Sequence, residues 1–314
     1  MLCTVAAESV IRPSRTIKDS EGVASVVGTI LALLVFLSLL GIFMNHYVPS
    51  MMAGNEHQHD TQVITQISNL KESIDSMMLY YINSQSSTLS SYSPVTLGSA
   101  GVPMFATGTQ GQLGIIPVSN QQEPSFSVSF AYYQSGVVHS IKSVSGGGVI
   151  VNMPNRYFTQ QSILYQNDAV ILGQTGGQVM LANPGFTINA RAGISVSLLQ
   201  MSIVTPTSTN VTISGTNTVG LSSQLTAFTH NTFNSRGTGP LKMTILTPFA
   251  KAWLDFFNST FAQAGLNPTR NNGLTGNYNI TLSGTYLHYV LTVMLYGVDT
   301  VTLSNAIVNI AAGE

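Results

Sequence analysis

The stretch that decides the architecture is VASVVGTILALLVFLSLLGIFM, residues 23–44, which contains no charged side chain. Wound as a helix, 22 residues reach about 33 Å, close to the hydrocarbon thickness of a bilayer. A secretory apolar region is typically only about 7–15 residues long and ends in a small-x-small cleavage site. This run is longer and passes into Asn45, His46 and Tyr47 without such a site, so it is expected to stay in the mature protein. Arg12, Arg15 and Lys18 precede it. Positive charge holds that end of a span in the cytoplasm, which puts everything after Met44 outside.

Composition narrows the remainder. Only 7% of the 314 residues are charged, against about 25% in ordinary domains. Hydrophobic residues make up 44%, enough for a packed core and too many for a disordered chain. A net charge of −1, from 11 basic and 12 acidic residues, argues against nucleic-acid binding, which requires clustered Lys and Arg. The single cysteine, Cys3, excludes a disulfide framework and a cysteine-based metal site.

Outward from the apolar run, Val63, Ile67, Leu70, Ile74, Met77 and Tyr81 recur at alternating spacings of four and three, a helical seam over residues 60–83. Ile64, Met78 and Tyr80 widen it, while Lys71, Glu72 and Asp75 fall on the other face. Two readings stay open: a helix packed on the chain's own domain, or a stalk that continues the membrane helix. From Ser84 the pattern changes. A serine-rich tract over residues 84–91 reads as a linker, and short β-type runs follow.

Residues 126–130, 149–151, 194–198, 243–246, 289–295 and 306–310 read as strands. Gly146-Gly147-Gly148 and Asn271-Asn272-Gly273 punctuate them. One helix interrupts the series: Thr247 as cap, Pro248 at the first helical position, residues 249–264, and Gly265 as terminator. Trp253 in this helix reads as a core anchor. The expected fold class is therefore α+β. A long N-terminal hydrophobic helix and a helical stalk lead into a β-sandwich-like ectodomain with one inserted helix. The divisions are a leader over 1–22, a transmembrane or filament-core helix over 23–48, a stalk over 49–83 and a β-rich extracellular domain over 84–314.

Lys18-Asp19-Ser20-Glu21-Gly22 followed directly by Val23-Ala24-Ser25-Val26-Val27-Gly28-Thr29-Ile30-Leu31 resembles the N-terminal segment of archaeal type IV pilins and their archaellin relatives. The resemblance covers residues 18–44. It implies a short charged leader whose last residue is Gly22, cut before Val23 by a prepilin peptidase, with Cys3 lost alongside it. The fifth position after that cut, Glu in many pilins, is Val27 here. Leu97-Gly98-Ser99-Ala100-Gly101-Val102-Pro103, Gly114-Ile115-Ile116 and Ala252-Trp253 are similar to segments of archaeal pilin-like surface proteins. The resemblance further implies filament assembly machinery and copies of the same chain as partners, with the membrane as host before assembly.

A search for chemistry returns little. His57, His59 and Asp60 are the one His/carboxylate cluster. Two imidazoles and a carboxylate on a polar juxtamembrane stretch are generic as a metal site, and a solvated hinge is the favoured reading. His139, His230 and His288 stand apart without a motif. No Gly-x-Ser-x-Gly elbow accompanies the abundant serines, and no phosphate-binding glycine loop is present. Beyond Ser84 the carboxylates are Glu123, Asp168, Asp255, Asp299 and Glu314, with no spacing that signals a catalytic pair. The expectation is a protein that is not an enzyme, with no cofactor and no metal.

Asn210, Asn258 and Asn279 begin Asn-x-Ser/Thr triplets and are candidate glycosylation sites. Asp, Glu, Lys and Arg are missing between Asp75 and Glu123 and between Arg191 and Arg236. A surface of hydroxyls and amides titrates little, which predicts tolerance of strong acid.

Three functions compete. The leading one is a structural subunit of an archaeal type IV pilus-like surface filament, serving adhesion or surface contact. Its apolar helix packs against other copies through Ala24, Ser25, Gly28, Ala32, Ser38 and Gly41. The second is a single-span anchored surface protein with an adhesive β-domain that never polymerises. The third, a tethered exported enzyme, is disfavoured by the empty search. Expected localisation is the cell membrane with an outer C-terminal domain, or an extracellular filament.

Overall fold

A computed structural model describes residues 20–84, 89–118, 124–269, 276–285 and 288–313. The leader before Ser20 and the Asn271-Asn272-Gly273 turn lie outside the described residues. The chain divides into two compact units, Met1–Pro49 and Ser50–Glu314.

Helix α1 (Ser20–Ile42) is followed by a π turn (Phe43–Tyr47) and by α2 (Val48–Ser84). The π turn has a local cause. Pro49 has no N–H to donate and its ring clashes with the carbonyl four residues back, so a regular helix cannot run through it undisturbed. Widening the turn just upstream, where the Val48 N–H donates to the Phe43 carbonyl, absorbs that conflict. The helix of the second unit therefore starts well before residue 60, where the seam begins.

Among the described residues the β-domain has sixteen strands. The first eight are β1 (Ser90–Thr96), β2 (Gly111–Ile116), β3 (Ser125–Gln134), β4 (Val137–Gly146), β5 (Gly148–Met153), β6 (Gln161–Gln166), β7 (Ala169–Gln174) and β8 (Gly177–Ala182). The next five are β9 (Phe186–Asn189), β10 (Ile194–Val204), β11 (Val211–Gly215), β12 (Thr218–Asn234) and β13 (Leu241–Thr247). After α3 (Ala250–Gln263) come β14 (Tyr278–Thr285), β15 (His288–Leu295) and β16 (Val298–Gly313). A ten-stranded sheet runs β14-β15-β13-β3-β12-β16-β10-β9, with β1 also on β12 and β4 also on β3. A six-stranded sheet runs β11-β2-β5-β6-β7-β8. The fold is α+β with a two-sheet, sandwich-like domain.

Every strand run expected from period-two alternation is found, inside β3, β5, β10, β13, β15 and β16. The last of these is an interior strand, pairing antiparallel with β12 and parallel with β10. The serine tract is only partly a linker, since Ser84 closes α2 and Ser90 and Ser91 belong to β1.

Two apolar clusters fill the domain. One joins strands of both sheets to α3 through Trp253, which is fully buried and stacked on Phe257 at 5.9 Å. Helix α3 begins three residues after the expected cap. Thr247 ends β13, and its hydroxyl accepts the Phe249 N–H at 3.2 Å. The helix ends as expected at Gly265, where φ is +76° and the Gly265 and Leu266 N–H groups bond back to the Ala262 and Phe261 carbonyls. This paired closure requires a residue free to take the left-handed conformation.

The second cluster decides between the two readings of the seam. Val63, Ile67, Leu70, Ile74 and Met77 are buried among Val95, Leu113, Val151, Ile163, Met201 and Val308, side chains from both sheets. Tyr81 is half-buried, with its ring 5.9 Å from that of Phe228. The stripe thus packs on the chain's own β-domain, burying about 1.5–3 kcal/mol worth of apolar surface per large side chain.

Candidate membrane and assembly segment

Helix α1 has the opposite character. Eleven large apolar side chains between Val26 and Ile42 are exposed, and its most apolar stretch has no buried residue. It is long and apolar enough to cross a membrane. Left in water, such a surface costs on the order of 10–30 kcal/mol, more than the net stability of a typical domain, about 5–15 kcal/mol. It must be covered.

Two hydroxyls inside the run are satisfied locally. The Thr29 hydroxyl donates to the Val26 carbonyl at 2.8 Å and the Ser38 hydroxyl to the Leu34 carbonyl at 2.7 Å. Neither therefore needs water. Of the candidate packing residues, Ala24, Ser25, Gly28, Ala32 and Ser38 are exposed and Gly41 is half-buried. At 100° per residue the first five fall within an arc of about 140°, with Gly41 outside it. A Cβ built on Gly28 or Gly41 meets nothing within 4 Å, so neither glycine is required by its own chain. Gly22 and Val23, the candidate cut site, lie in the first turn of α1.

Two polar clamps hold α2 in the β-domain, and sequence reasoning anticipated neither. Glu56 is fully buried. Its carboxylate accepts the Thr109 hydroxyl at 2.6 Å and the backbone N–H groups of Arg156, Tyr157 and Phe158 at 3.0, 2.8 and 2.8 Å. Burial pushes its pKa up, but these four hydrogen bonds outweigh burial and leave it below the usual value. One helical carboxylate thereby organises two surface loops.

Fifteen residues on, Lys71 donates to Asp75 at 3.0 Å and to Asp168 at 2.6 Å. Asp168 sits in the two-residue turn between β6 and β7, where Asn167 and Asp168 both take positive φ, the hairpin geometry that Asn and Asp tolerate best. Its side chain is 5% exposed. Burial raises its pKa to about 7 despite the Lys71 ammonium, and Asp75 adds to the rise. Lys71 is thus not a solvated face residue, and Asp168 is not an isolated surface carboxylate. Both were missed because the partners stand 97 residues apart with no motif between them.

The His57/His59/Asp60 cluster is not a solvated hinge. All three lie on α2, with His59 and Asp60 buried and His57 exposed. His59 Nε2 is 2.9 Å from the Thr96 carbonyl and therefore donates to it. Asp60 accepts the Asn155 amide at 2.7 Å, and His57 stands edge-on to Phe158 at 5.0 Å. His57 and His59, two positions apart on the helix, do not share a face, and no group of three metal-ligating side chains occurs among the described residues.

Among the other histidines, His230 Nδ1 is 2.9 Å from the Ser304 hydroxyl across β12 and β16. No carboxylate hydrogen-bonds that imidazole among the described residues, so the orienting third member of a nucleophilic triad is not assembled there. Asn210 and Asn258 are exposed and Asn279 is half-buried in β14. No family model, curated protein or solved structure matches the chain.

Proposed function

We propose that this chain is a structural subunit of an archaeal type IV pilus-like cell-surface filament. It waits in the membrane and then polymerises through α1, with the β-domain displayed outward for adhesion or surface contact. The observation that carries this reading is α1 itself, an apolar cylinder exposed on all sides and joined in sequence to a helix whose seam is already satisfied. Such a helix needs lipid or other helices around it. The resemblance of residues 18–44 to pilin N-termini favours other copies as the final cover. Prepilin peptidase cleavage between Gly22 and Val23 is part of the same proposal, as are the assembly machinery and extracellular exposure.

The second reading is a single-span anchor that stays in lipid. The match between an uncharged run of 22 residues and one bilayer thickness supports it equally well. N-terminal sequencing of protein from its native cells separates the two, together with electron microscopy of their surface. A mature chain beginning at Val23 in filaments supports the subunit. A chain beginning at Met1 and found singly in membrane supports the anchor and ends the filament proposal.

Glycosylation at Asn210, Asn258 and Asn279 is a further part of the extracellular reading. Intact mass before and after deglycosylation is expected to differ, and an unmodified mass removes it.

A further inference from the structure

The β-domain carries a displayed apolar turn at one end and an apolar groove at the other. The turn is Val102-Pro103-Met104-Phe105, closed by the Phe105 N–H bonding to the Val102 carbonyl at 3.1 Å. Met104 is 99% exposed and takes φ +68°, at a turn position where glycine is usual because a side chain there is strained. A methionine this exposed buries none of its apolar surface within its own fold.

The turn is also rigidly mounted. Asn55 of α2 donates to the Ala100 carbonyl at 3.1 Å, and Thr109 is held by Glu56. Gly101 approaches the Ala106 carbonyl too closely for any Cβ. Arg156 lines the hollow beside the turn and is the one charged group there among the described residues.

The groove has a volume of about 430 Å³ and lies along the last turns of α2. Met78, Leu79, Ile82, Leu199 and Phe228 give it apolar walls, with Leu79 62% and Ile82 50% exposed. Asp75 and Asp168 line it as well. Against them stands the single ammonium of Lys71, which leaves one net negative charge once Asp168 is ionised, above about pH 7.

From Asn55 to Met78 is about 35 Å of helix, so the pinned turn cannot reach the groove of its own chain. We propose that the Met104 turn of one copy docks into the groove of the next, with Arg156 facing the Asp75/Asp168 pair. The inference rests on the filament reading and adds its lateral contact. A contact between two different surfaces does not close on itself and propagates as an open polymer.

The test uses the full-length chain carrying Cys3→Ser. Copies with Met104→Cys are mixed with copies carrying Leu79→Cys and then oxidised. Disulfides form only where Cα atoms lie within about 7 Å. The expected product is a 104–79 link between copies, while the double variant Met104→Cys/Leu79→Cys gives a ladder of higher multimers. Arg156→Gln lowers the yield several-fold and leaves the fold unchanged, because only the backbone of Arg156 bonds to Glu56.

Links of 104 to 104 only, or no links in material that microscopy shows to be filamentous, overturn the contact and leave the filament standing. No assembly under any condition overturns both. A polarity-sensitive dye on the thiol of the Met104→Cys chain that responds to phosphatidylcholine vesicles and not to protein concentration assigns the turn to lipid, and overturns the contact too.

Discussion

Helices α1 and α2 follow one another in sequence and share a backbone conformation, yet they dispose of apolar surface in opposite ways. In α2 the apolar positions recur every three or four residues and enter a core built from both sheets. In α1 they occur on every side, and eleven large ones are exposed. The difference teaches where to look for function. Apolar surface paired within the chain is spent on stability, and apolar surface left unpaired defines what the protein must meet. The two clamps sharpen this contrast, since Glu56 and Lys71 tie α2 to loops and turns of the β-domain.

Matched truncations in the two helices should break or confirm the contrast. Leu70→Ala, at a fully buried position, is expected to cost about 2–5 kcal/mol in denaturant unfolding of the β-domain. A loss under about 1 kcal/mol would mean that the seam is not a core element. Glu56→Ala strands three backbone N–H groups and the Thr109 hydroxyl, with an expected cost of about 2–3 kcal/mol. Glu56→Gln, which keeps an acceptor, should recover part of it.

Next in size is the pH response. Native Asp168 holds a proton below about 7, whereas an unfolded aspartate releases its proton down to about 3.9. Between those values the native state binds more protons, so stability rises as pH falls. The rise is expected to be on the order of 1–2 kcal/mol, because Lys71 shares the site and limits the effect. Glu56 acts oppositely: its depressed pKa gives stability that is lost as pH drops below the ordinary carboxylate value of 4.5. Thermal melting should therefore show its maximum at mildly acidic pH, and Asp168→Asn should flatten the limb between about pH 4 and 7. A maximum at neutral pH contradicts the assigned burial of Asp168. The smallest effect belongs to α1: Leu33→Ala should change β-domain stability by less than about 0.5 kcal/mol while impairing assembly.

Much of this fold was legible because it is periodic. The seam at 63, 67, 70, 74 and 77 and the alternating cores of β3, β10 and β13 follow local rules that sequence carries directly. Strand β12 was not legible. Its second half, with Thr229, His230, Asn231 and Thr232, is largely exposed, so it lacks the alternation that marks a half-buried strand. The parallel pairing of β10 with β16 is also invisible, since sheet order is set by contacts distant in sequence. The candidate segment itself was plain, because an uncharged run of one bilayer thickness needs no partner to be recognised. Its clamps were hidden for the opposite reason. Glu56 and Lys71 look like ordinary helical charges until loops 100 residues away close over them.

The central claim is that α1 finds its cover on α1 helices of other copies. Single cysteines at Ala32 and at Leu33 in the Cys3→Ser chain, oxidised in membranes and in surface filaments, test it most directly. The account predicts disulfide-linked pairs at position 32, on the small-residue arc, in filament material, with far fewer at 33. Equal absence of links at both positions, in chains that remain dispersed in lipid, would contradict it.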